Sequence, residues 1–145
     1  MFKKIVWATD GSDSADKALA LAKVLVNDSG GELVAIHCEE RTLPGKGGGS
    51  YSLAANEEDL KSKIERQVSE LTGDGIKATL ETSRAFVGNA AHEIAAAAET
   101  HGADAIVVGT RGHTPLAGLL VGSVPQRLLH VAPCPVISVP TRNTA

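Results

Sequence analysis

Asp104-Ala105-Ile106-Val107-Val108-Gly109-Thr110-Arg111-Gly112, joined after nine further residues by Gly122-Ser123, is the stretch whose reading decides the fold. The apolar run ahead of Gly109 is short and unbroken, as in a strand buried on both faces, and a helix is expected to begin near Ser123. The glycines therefore sit on a strand-to-helix connection. Such a connection suits phosphate: residues without a Cβ let backbone N–H groups approach oxygens, and the next helix points its positive N-terminus the same way. Arg111 adds a positive charge. Taken singly, Gly109 and Gly112 turn a chain and Ser123 caps a helix; the information lies in the spacing of the whole pattern.

Outward from this stretch, strand and helix alternate along the chain. Ile5-Val6-Trp7-Ala8 is continuously apolar and stops at the polar turn 9–14, so it reads as a buried strand followed by a helix from near Ser12 or Ser14. Asp13 and Asp16 suit that helix's first turn; Ala18, Ala22, Leu25 and Ser29 form its stripe with Leu21 and Val26 alongside, and Gly30-Gly31 ends it. Leu33-Val34-Ala35-Ile36 is a second strand running into His37-Cys38. Residues 41–50, Arg41-Thr42-Leu43-Pro44-Gly45-Lys46-Gly47-Gly48-Gly49-Ser50, are too rich in glycine to pack and read as a mobile loop.

Asn56 reads as the cap of a helix whose first-turn acids, Glu57, Glu58 and Asp59, match the helix dipole, and whose buried face is Leu60, Ile64, Val68 and Leu71. From Ile76 the pattern alternates, with Ile76, Ala78 and Leu80 opposite Lys77, Thr79 and Glu81, which predicts a strand at a sheet edge. The alanine-rich stretch 90–100 is a helix stopped by Gly102. Beyond the opening stretch, a last helix tolerates Pro125 in its first turn and runs through Leu128, Leu129 and Val131. The final strand is Val136-Ile137-Ser138-Val139, closed by Pro140. Five strands alternating with four helices, without linker or repeat, predict a single α/β domain with an open parallel sheet and helices on both faces.

At 145 residues, 43% hydrophobic but 3% aromatic, the chain must build its core from Ala, Val, Leu and Ile. A net charge of −3 supplies no basic field, so nucleic acid is not an expected partner and any phosphate site must be local. The two cysteines, Cys38 and Cys134, make no C-x-x-C pair. The apolar run 5–8 is shorter than a signal-peptide core and no other run reaches membrane-spanning length, so the expectation is a cytoplasmic protein without membrane contact. His37, His92, His101, His113 and His130 show no i, i+4 pairing and no acidic neighbour at ligand spacing, so no metal site is expected. No residue stands out as a general base.

The full pattern, G-x-x-G, nine residues, then G-S, is similar to the nucleotide-binding signature of the universal stress protein family, in the subgroup that retains ATP. The resemblance runs from Ile5-Val6-Trp7-Ala8-Thr9-Asp10-Gly11-Ser12 to Cys134-Pro135-Val136-Ile137-Ser138-Val139. It implies a Rossmann-like sheet of strand order 3-2-1-4-5, reversing between strands one and four, and open α/β sheets bind ligands at such a switch point. It further implies ATP with Mg²⁺ as ligand. Asp10 would contact the nucleoside, with Ala8 and Thr9 as pocket wall, the main chain of Cys38 at the adenine edge and Val108 near the base. Gly109, Gly112, Gly122, Ser123 and Val124 would line the phosphates, with Arg111 beside them. The family resemblance also implies a homodimer through Val136, Ile137, Ser138 and Val139. One departure is Pro125, which stands where ATP-binding relatives often have Ser or Thr and offers neither hydroxyl nor N–H.

Other readings remain beside this one. Asp10 can accept ribose hydroxyls or hold a phosphate-bridging metal, or it can simply bond nearby turn amides. Residues 9–14, Thr9-Asp10-Gly11-Ser12-Asp13-Ser14, also resemble the S-G-G-x-D-S loop of the ATP pyrophosphatases, although Asp10 replaces the first glycine; that implies an adenylylating or ATP-cleaving enzyme. A nucleotide-free dimeric adaptor is the third reading. The loop 41–50 follows strand two, so its base shares an edge with Asp10 and Gly109, and Lys46 could reach a phosphate from it. The expected function is that of an ATP-binding, nucleotide-responsive stress or signalling protein. Hydrolysis should be slow at most, because holding phosphate without positioning water leaves most of the barrier in place.

Overall fold

In the computed structural model the chain forms β1 (Lys4–Ala8), α1 (Asp13–Ser29), β2 (Glu32–Arg41), α2 (Glu57–Gly73), β3 (Lys77–Phe86), α3 (Ala90–His101), β4 (Ala105–Gly109), α4 (Ser123–Val131) and β5 (Val136–Val139). The structure describes residues 2–45, 47–52, 56–110 and 123–141, with Ser123 described by its backbone alone. Lys46, Arg111, Gly112, His113 and Gly122 lie outside the described residues. The strands pair in parallel in the order β3-β2-β1-β4-β5, the predicted order.

The unbroken apolar runs occupy the middle of this sheet because both of their faces are covered. Ile5, Trp7, Leu33, Ala35, Ala105 and Val107 face α1 and α2, whereas Val6, Ala8, Val34, Ile36, Ile106 and Val108 face α3 and α4. Alanines at the interface, Ala15, Ala18 and Ala22 on α1 and Ala91, Ala95 and Ala98 on α3, let those helices come close to the sheet. Trp7 is fully buried and satisfies its indole N–H on the Ala15 carbonyl at 2.9 Å, which ties β1 to the start of α1.

The α1 stripe differs from the sequence reading. Ala15, Ala18, Leu19, Ala22 and Val26 are buried, Leu21 and Leu25 are half-buried, and Ser29 is exposed, with its hydroxyl donating to the Phe2 carbonyl. The stripe 18, 22, 25, 29 and the observed one are neighbouring registers of the same 3.6-residue period, and the sheet selects the one centred under Trp7. Both α1 and α3 end on glycines in the left-handed region, Gly30 at φ 66° and Gly102 at φ 64°.

Strands β2 and β3 run further than their apolar patterns. Residues from His37 to Arg41 pair with Thr82 to Phe86, beyond the end of β1, so a two-stranded ribbon continues for roughly 16 Å, and Arg41 also bridges Ser52 in antiparallel fashion. Charge replaces apolar burial there. The Glu39 carboxylate accepts from Arg41 at 2.9 Å and Arg84 at 3.0 Å, and Glu40 accepts from the Gly88 amide at 3.2 Å. Arg41, read as the first loop residue, is thus the last residue of β2. Its guanidinium also donates to the Ser50 carbonyl and hydroxyl, while Thr42 and Tyr51 exchange two hydrogen bonds, so the base of the loop is closed. Among the described residues no helix is long and apolar enough to cross a membrane.

Candidate functional site

The sheet register sets the site. Ala8 lies abreast of Ile36 on one side and Val108 on the other, so the chain leaves β1 and β4 at adjacent points of the carboxyl edge. This is the strand-order reversal, where β2 and β4 flank β1 and their helices leave to opposite faces.

After β1 the chain turns tightly. Thr9 Oγ1 accepts from the Gly11 amide and Asp10 Oδ1 from the Ser12 amide, each at 3.0 Å, and Ser12 Oγ caps α1 by accepting from Ala15 N at 3.2 Å. Gly11 takes φ +81°, and a Cβ there would meet Leu60 of α2. Asp10 is half-buried, whereas Thr9 and Ser12 are buried. A carboxylate offers roughly four lone-pair sites, so an Asp10 that holds the turn can still accept hydroxyl protons. The amides of Gly11, Ser12 and Ala15, by contrast, are consumed within the turn, and a pyrophosphate-binding loop would need them.

Gly109 ends β4 against the first turn of α1. A Cβ placed on it would lie 2.3 Å from Ser14 Oγ and 2.6 to 2.7 Å from the Ser14 backbone, so this glycine is required by the packing of β4 on α1. The sequence reading offered it as a chain-turning or phosphate-lining glycine and did not foresee this packing contact. On the other face, Val124 of α4 packs against the apolar cluster to which Ala8 and Val108 belong. As α4 opens at Ser123, the amides of Ser123, Val124 and Gln126 belong to its first turn, where an N–H has no partner four residues earlier within the helix, and Pro125 contributes none. Cys38 lies two residues past Ile36 on β2, opposite Ser83. Burial pushes its thiol above the ordinary value, and a hydrogen bond from Ser83 offsets this only in part.

Of the expected site residues, the structure therefore gathers Ala8, Thr9, Asp10, Val108, Gly109 and Val124 at one edge, with the Cys38 backbone along β2 and the Ser123 backbone at the start of α4. Arg111, Gly112 and Gly122 fall outside the described residues. A carboxylate turn after β1 and a helix start after β4 are the kinds of acceptor and donor that a nucleotide uses, since its ribose needs acceptors and its phosphates need donors. Among the described residues no cluster of three or more His, Cys, Asp or Glu could hold a metal ion.

Two features were missed. His37 is buried, its Nδ1 lies 2.9 Å from the Thr9 carbonyl, and its Nε2 lies 2.5 Å from Glu57 Oε1, so the first-turn acid of α2 does more than match a dipole. Lys63 of α2 donates to the Gly11 carbonyl at 2.8 Å and to Asp16 at 2.7 Å. For His37 the signal was present: it continues the inward alternation of Leu33 and Ala35, which places a polar ring where only a buried partner can satisfy it.

The fold and this crevice define a doubly wound parallel α/β domain with its candidate ligand site at the switch point. The universal stress protein family model matches residues 1–140, and the chain belongs to that family. A universal stress protein from Thermus aquaticus is 37% identical over 145 residues, spanning 96% of this chain and 99% of its own length. Among solved structures, the Methanocaldococcus jannaschii protein MJ0577 superposes with a TM-score of 0.72 at 25% identity, covering 99% of both chains. The universal stress protein from Archaeoglobus fulgidus in complex with dAMP superposes with a TM-score of 0.66 at 23% identity, covering 96% of this chain and 98% of that one, a likeness of fold.

Proposed function

We propose that this universal stress protein binds an adenine nucleotide, ATP with Mg²⁺, in the crevice between the Asp10 turn and the start of α4, and acts as a nucleotide-responsive stress or signalling protein. The observation that supports the reading is the register that sets Ala8 and Val108 abreast, because it puts the chain's exits from β1 and β4, at Thr9-Asp10 and at Gly109, side by side at the switch point. The dAMP held by the Archaeoglobus fulgidus relative supports the choice of an adenine nucleotide. Asp10 accepts from the ribose, the Cys38 backbone meets the adenine edge, Val108 packs on the base, and the amides from Ser123 onward face the phosphates, joined by Gly109, Arg111, Gly112 and Gly122. The nucleotide supplies the charge that the loop responds to; the chain's own residues bind and orient it.

The enzyme reading built on residues 9–14 is weakened by the internal bonding of the Gly11, Ser12 and Ala15 amides. In this reading hydrolysis of the bound nucleotide is at most slow, because holding phosphate without positioning an attacking water leaves most of the barrier in place. The reading includes a homodimer through β5 and a cytoplasmic setting, where the half-buried free thiols Cys38 and Cys134 remain reduced.

Calorimetry with ATP and with adenosine tests the assignment. Asp10→Ala should weaken both ligands by the same factor, whereas Gly122→Val, which adds a side chain to the glycine loop, should weaken ATP more than tenfold, about 1.4 kcal/mol, and leave adenosine nearly unchanged. Wild-type protein that binds neither ligand with Mg²⁺ present would favour the nucleotide-free adaptor.

A further inference from the structure

The turn that bears Asp10 is held from one side by a single stripe of α2. Glu57, Leu60, Lys63 and Gln67 follow one another at helical spacing, and each acts on this turn or on the helix leaving it. Glu57 bonds His37, whose other ring nitrogen reaches the Thr9 carbonyl; Leu60 packs beneath Gly11; Lys63 donates to the Gly11 carbonyl and to Asp16; Gln67 donates to Asp16 at 2.8 Å. The two carbonyls on either side of Asp10 are therefore both engaged from α2, one directly and one through the imidazole.

The proton inventory fixes the ring. The Thr9 carbonyl can only accept, so Nδ1 carries the N–H of that bond, and Nε2 is left facing the Glu57 carboxyl. The ring can neither flip nor exchange tautomers without leaving the Thr9 carbonyl unpaired in a buried place. A buried His and Glu side by side add little to stability compared with an apolar pair of the same volume; what such a pair supplies is one defined arrangement of the groups around it.

We propose that Lys63 and the His37–Glu57 pair are positioning residues for the nucleoside, holding the Thr9 and Gly11 carbonyls so that Asp10 is presented in one orientation. This rests on the nucleotide reading above. None of the three touches the ligand: they act through the turn, and the effect belongs to the ribose and base end of the nucleotide, not to its phosphates.

The test uses the full-length chain, with ATP and adenosine as calorimetric probes and amide hydrogen exchange on the ligand-free protein. Lys63 is partly exposed, so Lys63→Met leaves the core intact; it should weaken adenosine and ATP by the same factor, about tenfold, the loss expected for one hydrogen bond from a charged donor. It should also speed exchange at the Gly11 and Ser12 amides while β4 is unaffected. Glu57→Ala should behave like Lys63→Met, and Glu57→Gln, whose amide can still donate to Nε2, should restore most of the affinity. Unchanged adenosine affinity in Lys63→Met and Glu57→Ala overturns the proposal, as does a loss confined to ATP, which would make Lys63 a phosphate contact. If wild-type protein binds neither probe, the nucleotide reading is what fails, and the exchange data then judge the clamp alone: unchanged rates at Gly11 and Ser12 overturn it.

Discussion

Gly109 has no room for a methyl group. Its virtual Cβ meets not only the Ser14 hydroxyl, which can rotate, but also the Ser14 backbone at 2.6 and 2.7 Å, which cannot move without shifting the first turn of α1. Gly109→Ala should therefore destabilise the protein by about 1 to 3 kcal/mol, the usual cost of overpacking, measured by urea unfolding of the ligand-free protein. A change below about 0.5 kcal/mol, the range of neutral surface substitutions, would mean that α1 gives way freely. Asp10 and Gly109 were legible in the sequence because residue type and position after an apolar run suffice to mark them. Lys63 and Glu57 were not, because a lysine and a glutamate on an amphipathic helix look like solvated residues until the fold shows which turn lies opposite them.

At the scale of elements, the start of β1 is fastened to β4 by Asp104. Its carboxylate accepts from the amides of Lys3 and Lys4 at 2.8 and 2.9 Å, and its own amide donates to the Lys4 carbonyl at 2.8 Å. The bonds from Lys4 and Lys3 hold this carboxyl below its ordinary value. A depressed value in the folded state means that the stabilisation is complete above the ordinary carboxylate range, near pH 4, and is lost as the pH falls from there through the lower folded value. Asp104→Asn should consequently be less stable than wild type at pH 7, with the difference shrinking below about pH 4; thermal melts across that range check it, and a difference that grows toward acid would contradict the sign. The element order and type were readable from periodicity alone. The lengths of β2 and β3 were not, because Glu39, Arg41 and Arg84 look like loop residues until both arginines are seen to pair with Glu39 along the ribbon.

At the scale of the whole molecule, the sheet order was legible only through the family resemblance, since periodicity says nothing about which strand lies beside which. The order leaves β5 at an edge with its four residues half-buried. The Pro135 carbonyl accepts from Ile106 of β4 and the Val139 carbonyl from Thr110 just beyond it, so by the alternation of a strand the amides and carbonyls of Val136 and Ser138 face outward. A second copy pairing there would close a two-fold dimer. Ser138→Pro removes an outward N–H and no bond to β4, a substitution that edge strands tolerate. Wild type should sediment as a dimer at micromolar concentration and Ser138→Pro as a monomer with the same far-ultraviolet circular dichroism; a monomeric wild type, or a variant that remains dimeric, would dismiss the pairing. The Gly109 contact also bears on descent. Selection for folding alone is enough to keep a glycine at that position, because α1 rests directly on it. A lineage under no selection for the proposed nucleotide could let the rest of the loop drift and still retain Gly109, so among its descendants a glycine there testifies to shared architecture and is no witness to a ligand.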